Sequence, residues 1–352
     1  MAERIVKIGE LKTGLKNNIC DVPGVLVGHV TIKEGNNKTG ITSILPHSGN
    51  LFEEKVIGAS YVYNGFGKSV GLIQVDELGT IETPILLTNT LSVGKVTDGL
   101  ISYMIKDNPN IGVTTSTVNS LVLECNDGSI SQIQNRILDE KHVFASIENA
   151  NDDFLEGNVG AGTGMKCHGF KGGIGSSSRI VKINDIEYTL GVLVNSNFGS
   201  SNGADLIFNG RRLGSLIKDY KLEKEEDKGS IIVVVATNAP LDSRQLKRLA
   251  KRAELGIART GSYAGNGSGD IMIAFSTENK VKNDPKKAVD DIIRFSDYFI
   301  NPLFKAVVDS TEEAVLNSML NATSEVSYNG IRYKSLMEYK KLFEDLLINK
   351  KQ

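Results

Sequence analysis

The stretch Gly229-Ser-Ile-Ile-Val-Val-Val-Ala-Thr237 decides how this chain is read. Its apolar run, residues 231–236, is β-branched almost throughout and leaves no polar face. That pattern predicts a strand covered on both sides, not one half-open to water. The run is far too short to span a bilayer, which takes about 20 apolar residues. Directly ahead lies the most polar block of the chain, Lys221-Leu-Glu-Lys-Glu-Glu-Asp-Lys228, which reads as an exposed helix end or loop. A serine therefore stands at the mouth of a buried strand, behind a glycine and a solvated segment.

Downstream, Pro240-Leu-Asp-Ser243 reads as a helix start with Asp242 or Ser243 as N-cap. Leu246, Leu249, Ala250, Ala253 and Ile257 follow at helical spacing. The glycine-rich loop 261–270 then feeds a second buried strand, residues 271–275. A helix is expected from Asp284 with Pro285 at its first position, another over 302–322, and a short amphipathic tail over 335–347. Upstream, short β-rich runs (25–30, 84–88, 120–124, 191–194) alternate with Gly, Asn and Asp turns. Residues 91–105 and 204–218 are the helical candidates there. No internal repeat is present, so solenoids and propellers drop out.

Composition narrows the function classes. The 352 residues carry a net charge of -2, which gives no bulk attraction for nucleic acid or anionic lipid. With no tryptophan and scattered aromatics, no base-stacking platform stands out. The first residues lack the apolar core of a signal peptide. Cys20, Cys125 and Cys167 are odd in number and widely spaced, as in a reducing compartment. The expectation is a cytoplasmic protein without a disulfide framework, metal site or membrane anchor.

The familiar catalytic motifs fail on inspection. Gly199-Ser-Ser-Asn-Gly203 matches a nucleophile elbow, but His29, His47, His142 and His168 all precede it, whereas a triad histidine must follow. Gly67-Lys68-Ser69 resembles the end of a phosphate-binding loop, yet Val62 stands where its first glycine belongs. Gly160-Ala-Gly-Thr-Gly164 lacks dinucleotide spacing. No histidine pair has metal-ligand spacing.

Ser230 offers another route. If the Gly229–Ser230 bond breaks, the serine gains a free α-amine beside its own hydroxyl. With an ordinary pKa of about 8, that amine is partly neutral near pH 7 and can act as general base without any histidine. Glycine at 229 is expected to permit the strained backbone in which Oγ attacks the preceding carbonyl. Read locally, the same Gly-Ser is also an ordinary turn before a strand.

Longer matches extend the reading: Asp21-Val-Pro-Gly-Val-Leu-Val-Gly-His29, Glu82-Thr-Pro-Ile-Leu-Leu-Thr-Asn-Thr-Leu-Ser-Val-Gly94 and Gly157-Asn-Val-Gly-Ala-Gly-Thr-Gly-Met165. Phe170-Lys-Gly-Gly-Ile-Gly-Ser-Ser-Ser-Arg179, the 229–237 stretch and Gly265-Asn-Gly-Ser-Gly-Asp270 continue them. With these the chain resembles the L-aminopeptidase/D-esterase (DmpA) and β-peptidyl aminopeptidase family of self-processing N-terminal-nucleophile hydrolases. The resemblance implies an α/β fold, a single four-layer αββα sandwich over residues 1–352. It implies cleavage into 1–229 and 230–352, an (αβ)4 assembly, and no metal or cofactor. The substrates it implies are small peptides, amides or esters with a free amino terminus, with stereochemistry and α- or β-peptide preference open.

Roles carry over by position. Ser230 matches the nucleophile, and Ser268 and Asp270 the pair that orients and polarises it, unless they form only a turn. Asn197 matches the oxyanion-hole asparagine, with Asn195 as rival. Glu124 is the candidate for the substrate's amino group, the alternative being a solvated acid at a strand end. Two departures stand out: Asn238 replaces the family's usual aspartate, and Asp270 is the shorter of the acids its position takes. The rivals are an ornithine acetyltransferase-like acyl transferase, whose nucleophile is usually threonine, and a non-catalytic binder of amino acids or peptides.

Overall fold

The structure is a computed structural model that describes residues 5–200, 203–208, 210–213, 216–217, 229–284 and 286–343. The charged block 221–228 lies outside them. In chain order the strands are β1 (Leu26–Glu34), β2 (Asn37–Leu45), β3 (Glu54–Gly65), β4 (Thr80–Ile81), β5 (Ile85–Asn89) and β6 (Leu121–Cys125). The short pair β7 (Lys166–Cys167) and β8 (Phe170–Lys171) precedes β9 (Gly173–Ile183) and β10 (Ile186–Asn197). After β11 (Ile207–Phe208) and β12 (Arg211–Arg212) come β13 (Ser230–Thr237) and β14 (Gly269–Lys282). The helices are α1 (Leu72–Leu78), α2 (Val93–Asp107), α3 (Glu140–Glu148), α4 (Ser243–Arg259) and α5 (Asn301–Leu320).

Two sheets form the centre. One has the order β1-β2-β5-β6 and the other β4-β3-β14-β13-β10-β9. Strand β13 shows why they stack. Ile232, Val234 and Ala236 point into the layer between the sheets, with Ile44, Leu87 and Leu123 opposite. Ile231, Val233 and Val235 point the other way, onto Leu246, Leu249 and Ala253 of α4 and Leu303 and Val307 of α5. Both faces of the run are thus buried, as its lack of polar positions required. On the far side, Val96 and Leu100 of α2 and Val143 and Ile147 of α3 cover Ile41, Leu86 and Val122 of the first sheet. The layers are helix, sheet, sheet, helix, in agreement with the expected sandwich.

Helix α4 carries the chain from β13 to its parallel neighbour β14. Its N-cap is Asp242, which accepts from the Gln245 N–H while Gln245 reaches back to the cap. This crossover places the starts of β13 and β14 side by side, which the site exploits.

Among the described residues, two helices expected from the sequence are not formed. In the segment 204–218, β11 pairs with β12 instead. Gly203 and Gly210 take positive φ of 68° and 76°, which breaks a helix, and Leu206 and Phe208 bury with a period of two. Residues 286–296 are irregular; Pro285 lies outside the described residues. Asp284 caps a single turn, its Oδ1 accepting from the Lys286 N–H. Val289, Ile292 and Ile293 remain 71%, 46% and 65% exposed, so no apolar face is buried to sustain a longer helix. In the tail, Leu336–Tyr339 is a 3-10 turn, and residues beyond 343 lie outside the described part.

Candidate active site

Strand register assembles the predicted residues. Ser230 opens β13, opposite Asn197 at the end of antiparallel β10 and opposite Gly269 at the start of parallel β14. Ser268 and Asp270 flank that glycine. Positions far apart in sequence meet because three strand ends coincide. Ser230 shares the face of Ile232 and Val234, and Asn197 that of Leu193, so both look into the layer between the sheets.

Hydrogen bonds fix the groups. Asn126 follows β6, and its N–H donates to Ser230 Oγ at 3.4 Å. Asn197 Nδ2 donates to the Asn126 carbonyl at 2.9 Å, and Asn197 Oδ1 accepts from the Lys166 N–H at 3.0 Å. These two bonds set the amide's orientation and leave a second Nδ2 proton for a ligand. Asn195, its rival, pairs with Ile232 two residues deeper and is fully buried. Ser268 Oγ donates to Asp270 Oδ1 at 2.7 Å, with the two residues 0% and 2% exposed. The pair is therefore buried, and it follows the turn expected before β14, which the Ser268 N–H closes on the Gly265 carbonyl at 2.8 Å.

The processing junction has its own geometry. The Gly229 carbonyl accepts from the Gly269 N–H at 3.2 Å, which polarises the bond that precedes Ser230. A Cβ on Gly229 would lie 2.1 Å from the Asn197 carbonyl oxygen and 2.4 Å from Phe198 Cα. Gly229 is not in the left-handed region, so the expected strained backbone is not what requires glycine here. The requirement is the close approach of β10.

Glu124 is buried, not solvated. Its Oε1 accepts from the Lys68 N–H at 2.9 Å, and Thr90 Oγ1 donates to its Oε2. Both oxygens keep further acceptor capacity for an ammonium group. Because Glu124 and Asn126 sit on one short segment, the amine-binding candidate is one residue removed from Cys125, which lies against Ser230. Burial pushes the Cys125 thiol far up, against the opposing pull of its hydrogen bond with the Ser230 side chain. The thiol stays protonated and donates to the Asn195 carbonyl at 3.4 Å.

Sequence reasoning missed three contributors. Asn126 and Lys166 act through main-chain N–H groups, which residue type does not reveal. Lys171 is fully buried, and its Nζ donates to the carbonyls of Gly162, Met165 and Gly172 at 3.1, 2.7 and 2.8 Å. It thereby holds the loop that presents Lys166 to Asn197. Its position inside the glycine-rich motif 170–179 was the available signal. The Asn238 departure lies at the opposite end of β13, where Asn238 Oδ1 accepts from the Thr189 N–H at 2.7 Å. An aspartate would accept the same bond, so this change does not touch the site. Two cavities, of about 200 and about 650 Å³, are lined by other residues, among them His47 and Asn108 in one and Lys16 and Glu156 in the other.

A sequence model of peptidase family S58 matches residues 17–333. The chain belongs to that family. This S58 chain is 37% identical over 342 residues to the β-peptidyl aminopeptidase BapA of Sphingosinicella xenopeptidilytica, covering 91% of this chain and 84% of that protein. Among solved structures it is similar to the PH0078 protein of Pyrococcus horikoshii OT3, with 48% identity and a TM-score of 0.91 over 97% of this chain and 98% of that one. It is also similar to the L-aminopeptidase D-Ala-esterase/amidase of Ochrobactrum anthropi, described as a variant of the Ntn hydrolase fold. There the identity is 32% and the TM-score 0.89, over 97% of each chain.

Proposed function

We propose that the chain is a self-processing serine aminopeptidase or amidase that removes N-terminal residues from small peptides, amides or esters. The observation that carries this reading is the three-strand register that sets Ser230 between Asn197 and Gly269. In processing, Ser230 Oγ attacks the Gly229 carbonyl carbon, whose oxygen is held by the Gly269 N–H. The C–N bond breaks, an ester forms on Oγ, and water releases it. The products are residues 1–229 and 230–352, and Ser230 gains its α-amine.

In turnover that amine takes the Oγ proton as Oγ attacks the substrate carbonyl, then passes it to the leaving amine. Asn197 Nδ2 donates to the oxyanion, a contribution typically worth about 3–4 kcal/mol. Asp270, oriented by Ser268, stabilises the protonated α-amine. Glu124 holds the substrate's ammonium group. Water then cleaves the acyl-enzyme. The relative's β-peptidyl activity favours β-aminoacyl groups among the substrates. The route uses no metal or cofactor, so activity is expected to persist in EDTA. The same reading takes the enzyme as a cytoplasmic (αβ)4 oligomer that works apart from nucleic acid and membranes. Among the described residues no helix is long and apolar enough to cross a membrane.

The test is hydrolysis of a panel of L-, D- and β-aminoacyl p-nitroanilides, set against acetyl transfer from acetylornithine. Hydrolysis that vanishes in Ser230→Ala supports the reading. Acetyl transfer without hydrolysis, or turnover that survives Ser230→Ala, overturns it.

A further inference from the structure

Lys68 lies just beyond β3, and its main-chain N–H donates to Glu124 Oε1 at 2.9 Å. The lysine is therefore anchored on the carboxylate assigned above to the substrate's ammonium. Its Nζ lies 4.3 Å from the centroid of the Phe66 ring. The Phe66 N–H in turn donates to the Ser268 carbonyl at 3.3 Å. Residues 66–68 thus bridge the Ser268–Asp270 pair and Glu124. Between them, a Cβ on Gly67 would fall 3.5 Å from Glu124 Oε1, so this segment runs closely over the acid.

Lys68 is exposed, and among the described residues no carboxylate lies within ion-pair distance of its ammonium. Lys55 and Lys247, by contrast, pair with Glu82 and Asp76. An ammonium group arriving at Glu124 would neutralise that acid, while Lys68, its main chain on Glu124 and its Nζ over Phe66, stays a positive charge on the same segment. Such a pairing of sites fits a substrate residue that carries a cation and an anion close together.

We propose that Lys68 binds a carboxylate borne by the same substrate carbon as the ammonium, so that the enzyme takes β-aspartyl (isoaspartyl) peptides. In an ordinary α-peptide the carbon bearing the ammonium holds the scissile carbonyl itself. It has a carboxylate as well only when the peptide is linked through the side chain. In a β-aspartyl residue that carbon stands one methylene from the scissile carbonyl, which makes the residue formally a β-aminoacyl group. Hydrolysis breaks the side-chain amide C–N bond, consumes one water, and releases aspartate and the amine of the following residue. The proposal rests on the aminopeptidase reading and on its preference for β-aminoacyl groups.

The experiment compares kcat/KM on β-aspartyl-alanine amide with its isostere whose α-carboxylate is a carboxamide, with β-alanyl-alanine amide as reference. The blocked C-terminus removes any carboxylate from the leaving group. Processed wild type should favour the acid over the carboxamide about tenfold or more, as a charge-assisted contact requires. That ratio should fall to near one in Lys68→Met, persist in Lys68→Arg, and shrink as salt rises from about 0.05 to about 0.5 M. The main-chain N–H on Glu124 is kept in both variants. A wild-type ratio at or below one, or a ratio unchanged in Lys68→Met, overturns the proposal. A γ-glutamyl analogue cleaved faster than the β-aspartyl compound overturns it also. If β-alanyl-alanine amide is itself not cleaved, the aminopeptidase reading fails first.

Discussion

Replacing Asn197 by alanine separates the chemistry of turnover from that of processing. The substitution removes the Nδ2 donor proposed for the oxyanion, a loss of about 10²–10³ in kcat, or about 3–4 kcal/mol. It also removes partners from the Lys166 N–H and the Asn126 carbonyl, held at 3.0 and 2.9 Å. Asn126 itself is exposed, so water can replace one of these bonds and the stability cost should stay near 1–2 kcal/mol, about the net value of one or two hydrogen bonds. The folded state survives such a loss. Processing should continue, because the Gly229 carbonyl is held by the Gly269 N–H and not by Asn197. Intact mass gives the processed fraction, stopped-time hydrolysis of an aminoacyl p-nitroanilide gives kcat, and urea unfolding gives the stability change. Asn197→Asp is the companion variant: it keeps an acceptor for Lys166 but no donor, and should lose kcat to a similar extent. Processed Asn197→Ala with kcat within about threefold of wild type would refute the oxyanion assignment.

Gly229→Ala should slow processing at least tenfold, because its Cβ would lie 2.1 Å from the Asn197 carbonyl oxygen and 2.4 Å from Phe198 Cα, which are backbone atoms that can yield only if β10 parts from β13. A time course of chain cleavage after denaturant refolding reads this. Asp270→Asn keeps an acceptor for the 2.7 Å bond from Ser268 but removes the charge proposed to stabilise the α-amine. Its kcat should drop about 10²-fold or more with a melting temperature near that of wild type; equal kcat contradicts the role. Burial lowers the fully buried His168 to about 4, below its ordinary 6.5. The unfolded chain therefore binds the proton first, so this stability is whole above pH 6.5 and is lost as pH falls toward 4. Between pH 7 and 5 the loss from His168 should be about 2 kcal/mol. Urea midpoints at the two pH values should differ less in His168→Gln by that amount, and an unchanged difference contradicts the assignment.

Much of the frame was legible from patterns with strong physical causes. The uninterrupted apolar run 231–236 required cover on both faces, and β13 has it. The capping residues before α4 fixed its start, since Asp242 supplies the missing acceptor at the first turn. The failures came where local preference had no tertiary support. Asp284 caps a turn, but the apolar residues after it find nothing to bury against. The 204–218 segment was read as helical although its glycines favour turns. At the site, Ser230, Ser268, Asp270 and Asn197 could be nominated by position, but their meeting depends on strand register, which sequence does not contain. The reason for Gly229 was also misjudged: proximity of β10 is a three-dimensional fact. Main-chain donors such as those of Asn126 and Lys68 carry no residue signature, so only the folded backbone reveals them.

Cleavage at Gly229–Ser230 is the claim on which the rest depends, and intact mass of the denatured, purified protein tests it most directly. The account predicts two chains, of 229 residues and, as 352 − 229, of 123 residues, at about 25 and about 13 kDa by scaling the 38.1 kDa total. The smaller chain should begin at Ser230, and Ser230→Ala should yield the uncut chain alone, without activity. A single uncut species at 38.1 kDa that hydrolyses aminoacyl substrates at full rate would contradict it.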